Sequence, residues 1–315
     1  MSFNSLDPDE QPNNVPKEVM VSVRIVTYNH GPYIKQAIDS VLMQRTNFPF
    51  EILIGEDDST DGTREICKEY AARYPDRIRL FLRQDKDKIY VDGRKTGKSN
   101  ARRTRAACRG KYIAMLEGDD FWIDAEKLQR QFDFLEANPD VEFCGARCLH
   151  WDPSGMQAPF VDPLPEKGNF LRRWEILRSL AYVHTSTFFT RAEVYRDIGS
   201  WTREIIQGDL AFLIELSRRQ GGVYVLPHLV SIYRVSGSGI WTSESKVKQT
   251  EMRQKFWENF LPQAKSVGDI EGVAAASEYL NYLKFRKTVY VRWPKFVARL
   301  LVAVRFPRLA LRQFR

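Results

Sequence analysis

Apolar and polar positions along the first 150 residues predict strands and helices in turn. Val19 to Val26 is a β-branched run of strand length, and Tyr33 to Gln44 then carries Ile34, Ala37, Ile38, Val41 and Leu42 at helical spacing. Phe50 to Gly55 predicts a second strand. The helix after it turns Ile66, Cys67, Tyr70 and Ala71 inward, with Thr60 or Asp61 as its cap. Ile78 to Leu82 predicts a third strand, and the polar, Gly-containing residues 83–97 predict a mobile loop. Lys98 to Arg109 reads as a helix with Ala101, Ala106 and Cys108 inward and Arg102, Arg103 and Arg105 outward. It leads into Tyr112 to Leu116, a continuous apolar run of the kind a buried parallel strand requires. A helix over Ala125 to Asn138 and a strand over Val141 to Leu149 follow. The alternation predicts an α/β fold with a doubly wound, mostly parallel sheet and right-handed crossovers.

The second half is less regular. Residues 150–169 predict a surface loop, Phe170 to Leu180 an amphipathic helix, Tyr182 to Thr190 a strand and Arg191 to Ile198 a helical turn. Gly208-Asp209 opens a helix over Leu210 to Gln220, and Val223 to Leu226 and Leu229 to Val235 predict two strands. Ser236 to Ser245 is a Gly/Ser loop containing Trp241, and Glu251 to Gln263 and Asp269 to Lys287 predict helices. The expected organisation is a disordered leader over 1–18, an α/β domain over 19–245, and C-terminal helices with a basic tail over 246–315. The leader is polar, acidic and Pro-containing, without the apolar stretch of a secretory signal.

Charge sharpens this picture. At 43% hydrophobic and 28% charged residues, the composition is that of a soluble globular protein. The net charge of +8 is concentrated at one end, because residues 279–315 hold ten Lys/Arg and no acid. Removing those ten from 48 leaves 38 basic against 40 acidic residues. That balance argues against a nucleic-acid groove on the main domain. In the tail, Phe285, Trp293, Phe296, Leu300, Leu301, Phe306 and Phe314 alternate with Arg and Lys, and the longest apolar run, Leu300 to Val304, is too short to span a bilayer. The segment predicts a peripheral anchor on an anionic membrane surface, at the cytoplasmic leaflet. A helix packed on the domain and an oligomer contact are the alternatives. Cys67, Cys108, Cys144 and Cys148 suit free thiols in a reducing compartment, and the Cys144/Cys148 pair lacks the partners of a zinc site.

Candidate chemistry gathers where strands end. Thr27-Tyr28-Asn29, Glu56-Asp57-Asp58 and Glu117-Gly118-Asp119-Asp120 each follow a predicted strand, and ligands of open α/β sheets bind beyond the strands' carboxyl ends. Three acids within four residues repel one another unless a cation offsets them, so Glu117 and Asp119 are expected to hold Mn²⁺ or Mg²⁺ against a diphosphate. A helix N-cap explains one of these acids but not three. Asp57 can accept from a base imide N–H while Tyr28 packs beside the ring; Thr27, Asn29, Glu56 and Gly118 complete the donor side. Lys98 and Arg102 can neutralise phosphate charge, with a solvated helix face as the plain alternative. Neither G-x-x-x-x-G-K-[ST] nor G-x-G-x-x-G is present. Asp209, outside the acid cluster and behind a glycine, is the candidate general base, and it can equally cap its helix. Asp120, His184 and Trp201 are candidate acceptor contacts, and Trp241 is a candidate lid over the donor.

Val23 to Tyr33, Glu56 to Thr63 and Met115 to Trp122 resemble the successive signatures of family 2 glycosyltransferases with the glycosyltransferase A fold. The Glu-Gly-Asp-Asp-Phe-Trp form and Tyr233 to Trp241 resemble a bacterial branch associated with lipopolysaccharide and surface-glycan assembly. The resemblance spans residues 19–245 and implies a catalytic domain there. It implies that Tyr28 and Asp57 contact the nucleobase, that Asp119 is the metal-binding last acid of a D-x-D motif, and that Asp209 is the catalytic base. Three positions depart from the pattern: Glu117 is its first acid, Gly208 precedes Asp209 where Glu is usual, and Ser236 stands where His is frequent. The expectation is an inverting, metal-dependent transferase moving a sugar from a nucleotide donor, UDP-linked by preference, to a glycan or lipid-linked acceptor. A sugar nucleotidyltransferase and a non-catalytic binding protein of the same fold are the rival readings.

Overall fold

In the computed structural model, residues 7–91, 93–152, 155–157, 168–178, 183–196, 201–202, 205–235, 239, 243–292 and 295–306 are described. The chain opens with β1 (Val21–Thr27), α1 (Ile34–Leu42), β2 (Phe50–Glu56), α2 (Thr63–Arg73) and β3 (Ile78–Leu82). A short hairpin follows, β4 (Ile89–Val91) and β5 (Arg94–Thr96), and then α3 (Lys98–Ala106), β6 (Tyr112–Glu117) and β7 (Phe121–Trp122). Next come α4 (Lys127–Ala137), β8 (Phe143–Asp152), β9 (Gly155–Gln157), β10 (Asn169–Leu171) and α5 (Arg173–Leu177). The chain continues through β11 (Phe189–Arg191), α6 (Ala192–Arg196), α7 (Gly208–Leu216) and β12 (Val223–Arg234), and ends in α8 (Lys246–Ser266), α9 (Ile270–Arg292) and α10 (Lys295–Arg305).

The main sheet runs β10-β12-β8-β11-β6-β1-β2-β3. β3, β2, β1 and β6 are mutually parallel. β11 is antiparallel to both β6 and β8, which makes β8, and β12 beside it, run with the parallel set. The mostly parallel α/β sheet expected from the strand–helix alternation is therefore present, with the short reversed strand β11 let into it and the short strands β7, β9 and β10 paired antiparallel beside β8 and β12. β1 and β2 are buried nearly throughout, as strands covered on both faces must be. On one face, Val21, Val23 and Ile25 pack with Ile34, Ile38 and Val41 of α1; on the other, Ile113 and Met115 join a cluster that includes Phe212 of α7 and Phe256 and Phe260 of α8. Close packing also dictates Gly55: a Cβ there would come within 2.3 Å of Asn100 and Thr104 on α3.

Several expectations are corrected. Residues 7–18 are not a disordered leader: Leu82 donates to the Asp9 carbonyl (3.0 Å), Gln11 donates to the Leu80 carbonyl (2.8 Å), and Val15 is buried. A leader of this composition has no core of its own, but the exposed edge of β3 offers it a backbone partner. Within the polar residues 83–97, β4 and β5 pair as a hairpin, with Gly93 at φ 76° between them. The two strands expected after residue 222 are one, β12, interrupted by register shifts on either side of Leu229. The strand expected over Tyr182–Thr190 is, where described, a 3₁₀ turn at Thr185–Thr187 followed by β11; the helix expected from Phe170 is β10 and then α5. The C-terminal helices share the body's core through Phe256, Trp257, Phe260 and Ala276.

Candidate active site at the strand ends

Backbone register brings the three acidic or polar strand ends together. Thr27 pairs with Glu56, and Val26 with Glu117, so β2, β1 and β6 finish on one line, each about 4.8 Å from its neighbour. The ladder continues one residue further: Asp57 donates to the Thr27 carbonyl (3.1 Å) and Gly118 to the Val26 carbonyl (2.9 Å). Asp57 and Asp119 therefore flank the end of β1 at the same sheet edge.

On the β2 side, Asp57 is 3% exposed, and its carboxylate makes no side-chain hydrogen bond among the described residues. Burial pushes its pKa up to about 6; Lys88 and Arg83 pull against the rise, and Glu56 and Asp58 add to it. Tyr28 is 46% exposed, with the Lys88 ammonium 3.6 Å from its ring centroid. Asn29 and Glu56, expected on the donor side, instead brace the loops. Asn29 sits at φ 52°, its N–H donates to Ser59 Oγ (2.9 Å), and its Oδ1 accepts from the Thr60 N–H (2.9 Å). Glu56 is fully buried, accepts from the Ser59 N–H (2.7 Å) and pairs with Arg64. In this run of three acids Glu56 and Asp57 are buried and Asp58 is partly exposed, and only Asp57 is left without an arginine partner among the described residues.

On the β6 side, Gly118 has a steric cause. A Cβ there would lie 2.6 Å from Thr27 Oγ1 and 2.9 Å from His30 Nδ1. That contact gathers a residue the motif reading passed over: His30 Nε2 is 3.8 Å from Asp119 Oδ2, and its Nδ1 is 3.3 Å from Thr27 Oγ1. A histidine in the turn directly after a strand end was the available signal. Arg234 was missed in the same way. Its guanidinium donates to the Asp119 carbonyl (2.6 Å) and to Gln36, and its backbone N–H donates to Asp120 Oδ1 (3.0 Å).

The three acids of the motif have different surroundings. Asp120 is fully buried, with one oxygen on the Arg234 N–H and the other on the Ser186 hydroxyl, so it presents no face to an acceptor. Burial raises its pKa well above the usual carboxylate range, and Asp119 adds to the rise. Glu117 meets Arg24 at 3.3 Å. Its pKa is pushed up to about 7 by burial, with Arg24 lowering it and Asp119 and Asp209 raising it. The charges of Asp119 and Asp209 thus converge on Glu117, although 90 residues separate them in sequence. Asp119 keeps part of its carboxylate open, its side chain 15% exposed.

Asp209 lies in the first turn of α7, where acids are favoured by the helix dipole, and its Oδ1 accepts from the Leu210 N–H (2.8 Å). Lys98 reaches the same region. Its ammonium donates to the Thr202 carbonyl (2.9 Å), and burial lowers its pKa to about 8 against the pull of Asp209. Arg102 is exposed on the outer side of α3. The two expected acceptor aromatics described here are packed elsewhere. His184 is buried under Asp120 with its ring 4.3 Å from Tyr233, and burial, with His150 adding to it, lowers its pKa to about 3 and keeps it neutral. Trp201 donates to Glu215 (2.9 Å) and packs on Phe256 and Phe260. Trp241 and Ser236 lie outside the described residues.

Among the described residues no group of three His, Cys, Asp or Glu side chains is arranged to hold a metal. Glu117 is engaged by Arg24, so Asp119 is the available oxygen donor. One carboxylate completed by diphosphate oxygens and water is how Mg²⁺-type ions bind in phosphate sites, and the residues present fit that mode.

The sequence profile described as "Glycosyl transferase family 2" matches residues 22–199. An uncharacterized protein of Mycobacterium tuberculosis is 32% identical over 242 residues, covering 76% of this chain and 64% of that protein, so the chain spans less than two thirds of this relative's length. The uncharacterized glycosyltransferase EpsJ of Bacillus subtilis is 31% identical over 171 residues, 54% of this chain and 45% of EpsJ. Two solved structures share the fold at low identity. S. aureus TarS 1–349 in complex with UDP-GlcNAc superposes with a TM-score of 0.56 at 17% identity, covering 83% of this chain and 70% of that one. The mannosyltransferase PcManGT of Pyrobaculum calidifontis, in complex with GDP-Man and Mn²⁺, superposes with a TM-score of 0.54 at 15% identity, covering 95% and 85%.

A pH-dependent stability effect follows from Asp57. Its folded pKa of about 6 lies above the ordinary 3.8, so ionising it disfavours the fold, fully above pH 6 and not at all below about pH 4. Asp57→Asn is expected to raise stability at pH 7.5 by about 1–2 kcal/mol after solvent screening and to change it little at pH 4. Thermal unfolding at the two pH values checks this; an equal shift at both overturns it.

Proposed function

We propose, from the premise that this chain belongs to glycosyl transferase family 2, that it moves a sugar from a nucleotide-diphosphate donor to a hydroxyl of a glycan or lipid-linked acceptor, with inversion. The observation that carries the reading is the placing of Asp57 and Asp119 on either side of the end of β1 at one sheet edge, with Asp209, in the first turn of α7, acting together with Asp119 on the Glu117 carboxyl. Asp57 accepts from a base N–H, for which its unpartnered carboxylate is suited, and Tyr28 covers the ring. We assign UDP as the preferred donor nucleotide. Asp119 holds Mn²⁺ or Mg²⁺, which when bound supplies Lewis-acid stabilisation to the departing diphosphate. Lys98 adds positive charge on the same side. Asp209 takes the proton of the acceptor hydroxyl as its oxygen attacks the anomeric carbon, and the nucleoside diphosphate leaves from the opposite face. His30, Gly118 and Arg234 orient Asp119; Arg24 restrains Glu117.

We assign the acceptor to cell-surface polysaccharide or lipopolysaccharide assembly, and α10 to the cytoplasmic face of the membrane. Support comes from α10 itself: Leu300 and Val304, one turn apart, are exposed beside Arg299 and Arg305, while Val302 is buried against Tyr282 and Leu283. No described helix is long and apolar enough to cross a membrane.

Asp119→Asn is expected to abolish Mn²⁺-dependent UDP binding by calorimetry, and unchanged affinity removes Asp119 from the metal site. Asp209→Asn is expected to leave UDP binding intact and to lower turnover by about 10²–10⁴-fold; near-normal turnover places the base elsewhere. Deleting residues 284–315 is expected to release the protein from anionic liposomes in co-sedimentation, and continued pelleting refutes the membrane assignment.

A further inference from the structure

The residues before the family-matched region form a strap along β3 that ends at the nucleobase side of the site. Its backbone joins the sheet edge at Asp9 and Gln11. Its acids then divide between two tasks. Glu10 binds Arg79 (2.7 and 2.9 Å), which also meets the buried Glu51 (3.1 Å), near the start of β3. Asp7 and Asp9 instead hold Arg83, at 2.7, 2.8 and 3.1 Å from its Nη1, and Arg103, at 2.7 and 2.8 Å from its Nη2.

Arg83 is placed next to the base-contact residue. Its N–H donates to the Glu56 carbonyl (2.9 Å), directly before Asp57, and its carbonyl accepts from Arg64, which binds Glu56 and Asp58. The side chain is 1% exposed, and its Nε and Nη2 have no hydrogen-bond partner among the described residues. A buried guanidinium with only one nitrogen paired keeps much of its field, and the strap's two carboxylates are what offset it.

We propose that Asp7 and Asp9 are positioning residues of the nucleobase pocket, acting through Arg83 on the Asp57 carboxylate. The charged groups acting on Asp57 are Glu56 and Asp58 from its own loop, Lys88 from the segment before β4, and Arg83 from the end of β3. Of these, only Arg83 is gripped by the strap. Neutralising Asp7 and Asp9 leaves Arg83's charge unopposed, holds Asp57 ionised to lower pH and draws it towards the guanidinium, away from a base N–H. The inference rests on the donor-site reading for the role of Asp57, but the coupling itself can be read without nucleotide.

The test is the titration of the Asp57 carboxyl carbon by NMR in nucleotide-free protein labelled at aspartate, with Asp57→Asn identifying the resonance. Asp7→Asn/Asp9→Asn is expected to lower the midpoint by roughly half a unit, and Arg83→Gln to raise it by a similar amount. Glu10→Gln, which loosens the same strap away from Arg83, is expected to leave it in place. If the double variant does not fold, Asp9→Asn alone carries the comparison with a smaller shift in the same direction. An unmoved or raised midpoint in the strap variants, or the same shift in Glu10→Gln, overturns the proposal, because a merely structural strap has no reason to separate them. UDP affinity against pH is expected to follow the same order. Wild-type protein that binds no UDP overturns the donor-site reading and leaves the titration result to stand by itself.

Discussion

Mutual repulsion among carboxylates crowded at one sheet edge is the constraint on which the rest of this site depends. Glu117, Asp119, Asp120 and Asp209 come from two segments far apart in the chain, and like charges in a partly dry cleft cost several kcal/mol unless each is given its own remedy. The fold supplies four different ones. Asp120 is sealed in and hydrogen-bonded by Ser186 and the Arg234 N–H. Glu117 is paired with Arg24 across the β1–β6 ladder. Asp209 starts a helix within reach of Lys98's charge. Asp119 keeps an open face, with His30 on one side. That division leaves Asp119 partly open and ties Glu117 and Asp120 into the scaffold.

The scaffold depends on close backbone approach. Gly118 lets the turn after β6 lie against Thr27 and His30, and no larger residue fits there without moving one of them. Gly55 does the same for β2 under α3, where Asn100 donates to the Gly55 carbonyl (2.8 Å). With α3 seated on β2 and α7 on the same face, Lys98 and Asp209 arrive from above at the edge that β1, β2 and β6 define from below. The order of strands turns back between the β1–β2–β3 half and β6, the position at which open α/β sheets bind their ligands.

Both ends of the chain are attached to this frame by different physics. The N-terminal strap is held by backbone pairing to an edge strand and by acid–arginine pairs that are mostly buried. The C-terminal helices are held by aromatic packing: Trp257 on Phe256 and Phe260, then Tyr279 and Tyr282 onward to Phe306. Basic charge therefore accumulates on an element whose inner side is already satisfied, and α10 is left with exposed Leu300 and Val304.

The sequence by itself determined the alternation of strands and helices through β8 apart from the β4–β5 hairpin and β7, the mostly parallel sheet and the acids at its edge, because continuous apolar runs and helical spacing are local properties that a chain carries with it. It also marked Asp57, Asp119 and Asp209 as candidates, since each stands at the end of a strand or the start of a helix. Only the tertiary structure decided which polar residues are buried and which stay partly open at the sheet edge. Asp120 and His184 are turned inward, Asp120 onto the Ser186 hydroxyl and His184 against the Tyr233 ring, contacts between segments distant in sequence that no spacing rule encodes. Trp201 went to the C-terminal aromatic cluster for the same reason. His30 meets Asp119 because Gly118 allows one turn to close on another, Arg234 because β12 ends beside Asp119 and Asp120, and the acidic leader became an edge segment because β3 left a backbone ladder open. Each of these outcomes is a choice between partners distant in sequence, so it is settled by burial and geometry once the sheet has formed.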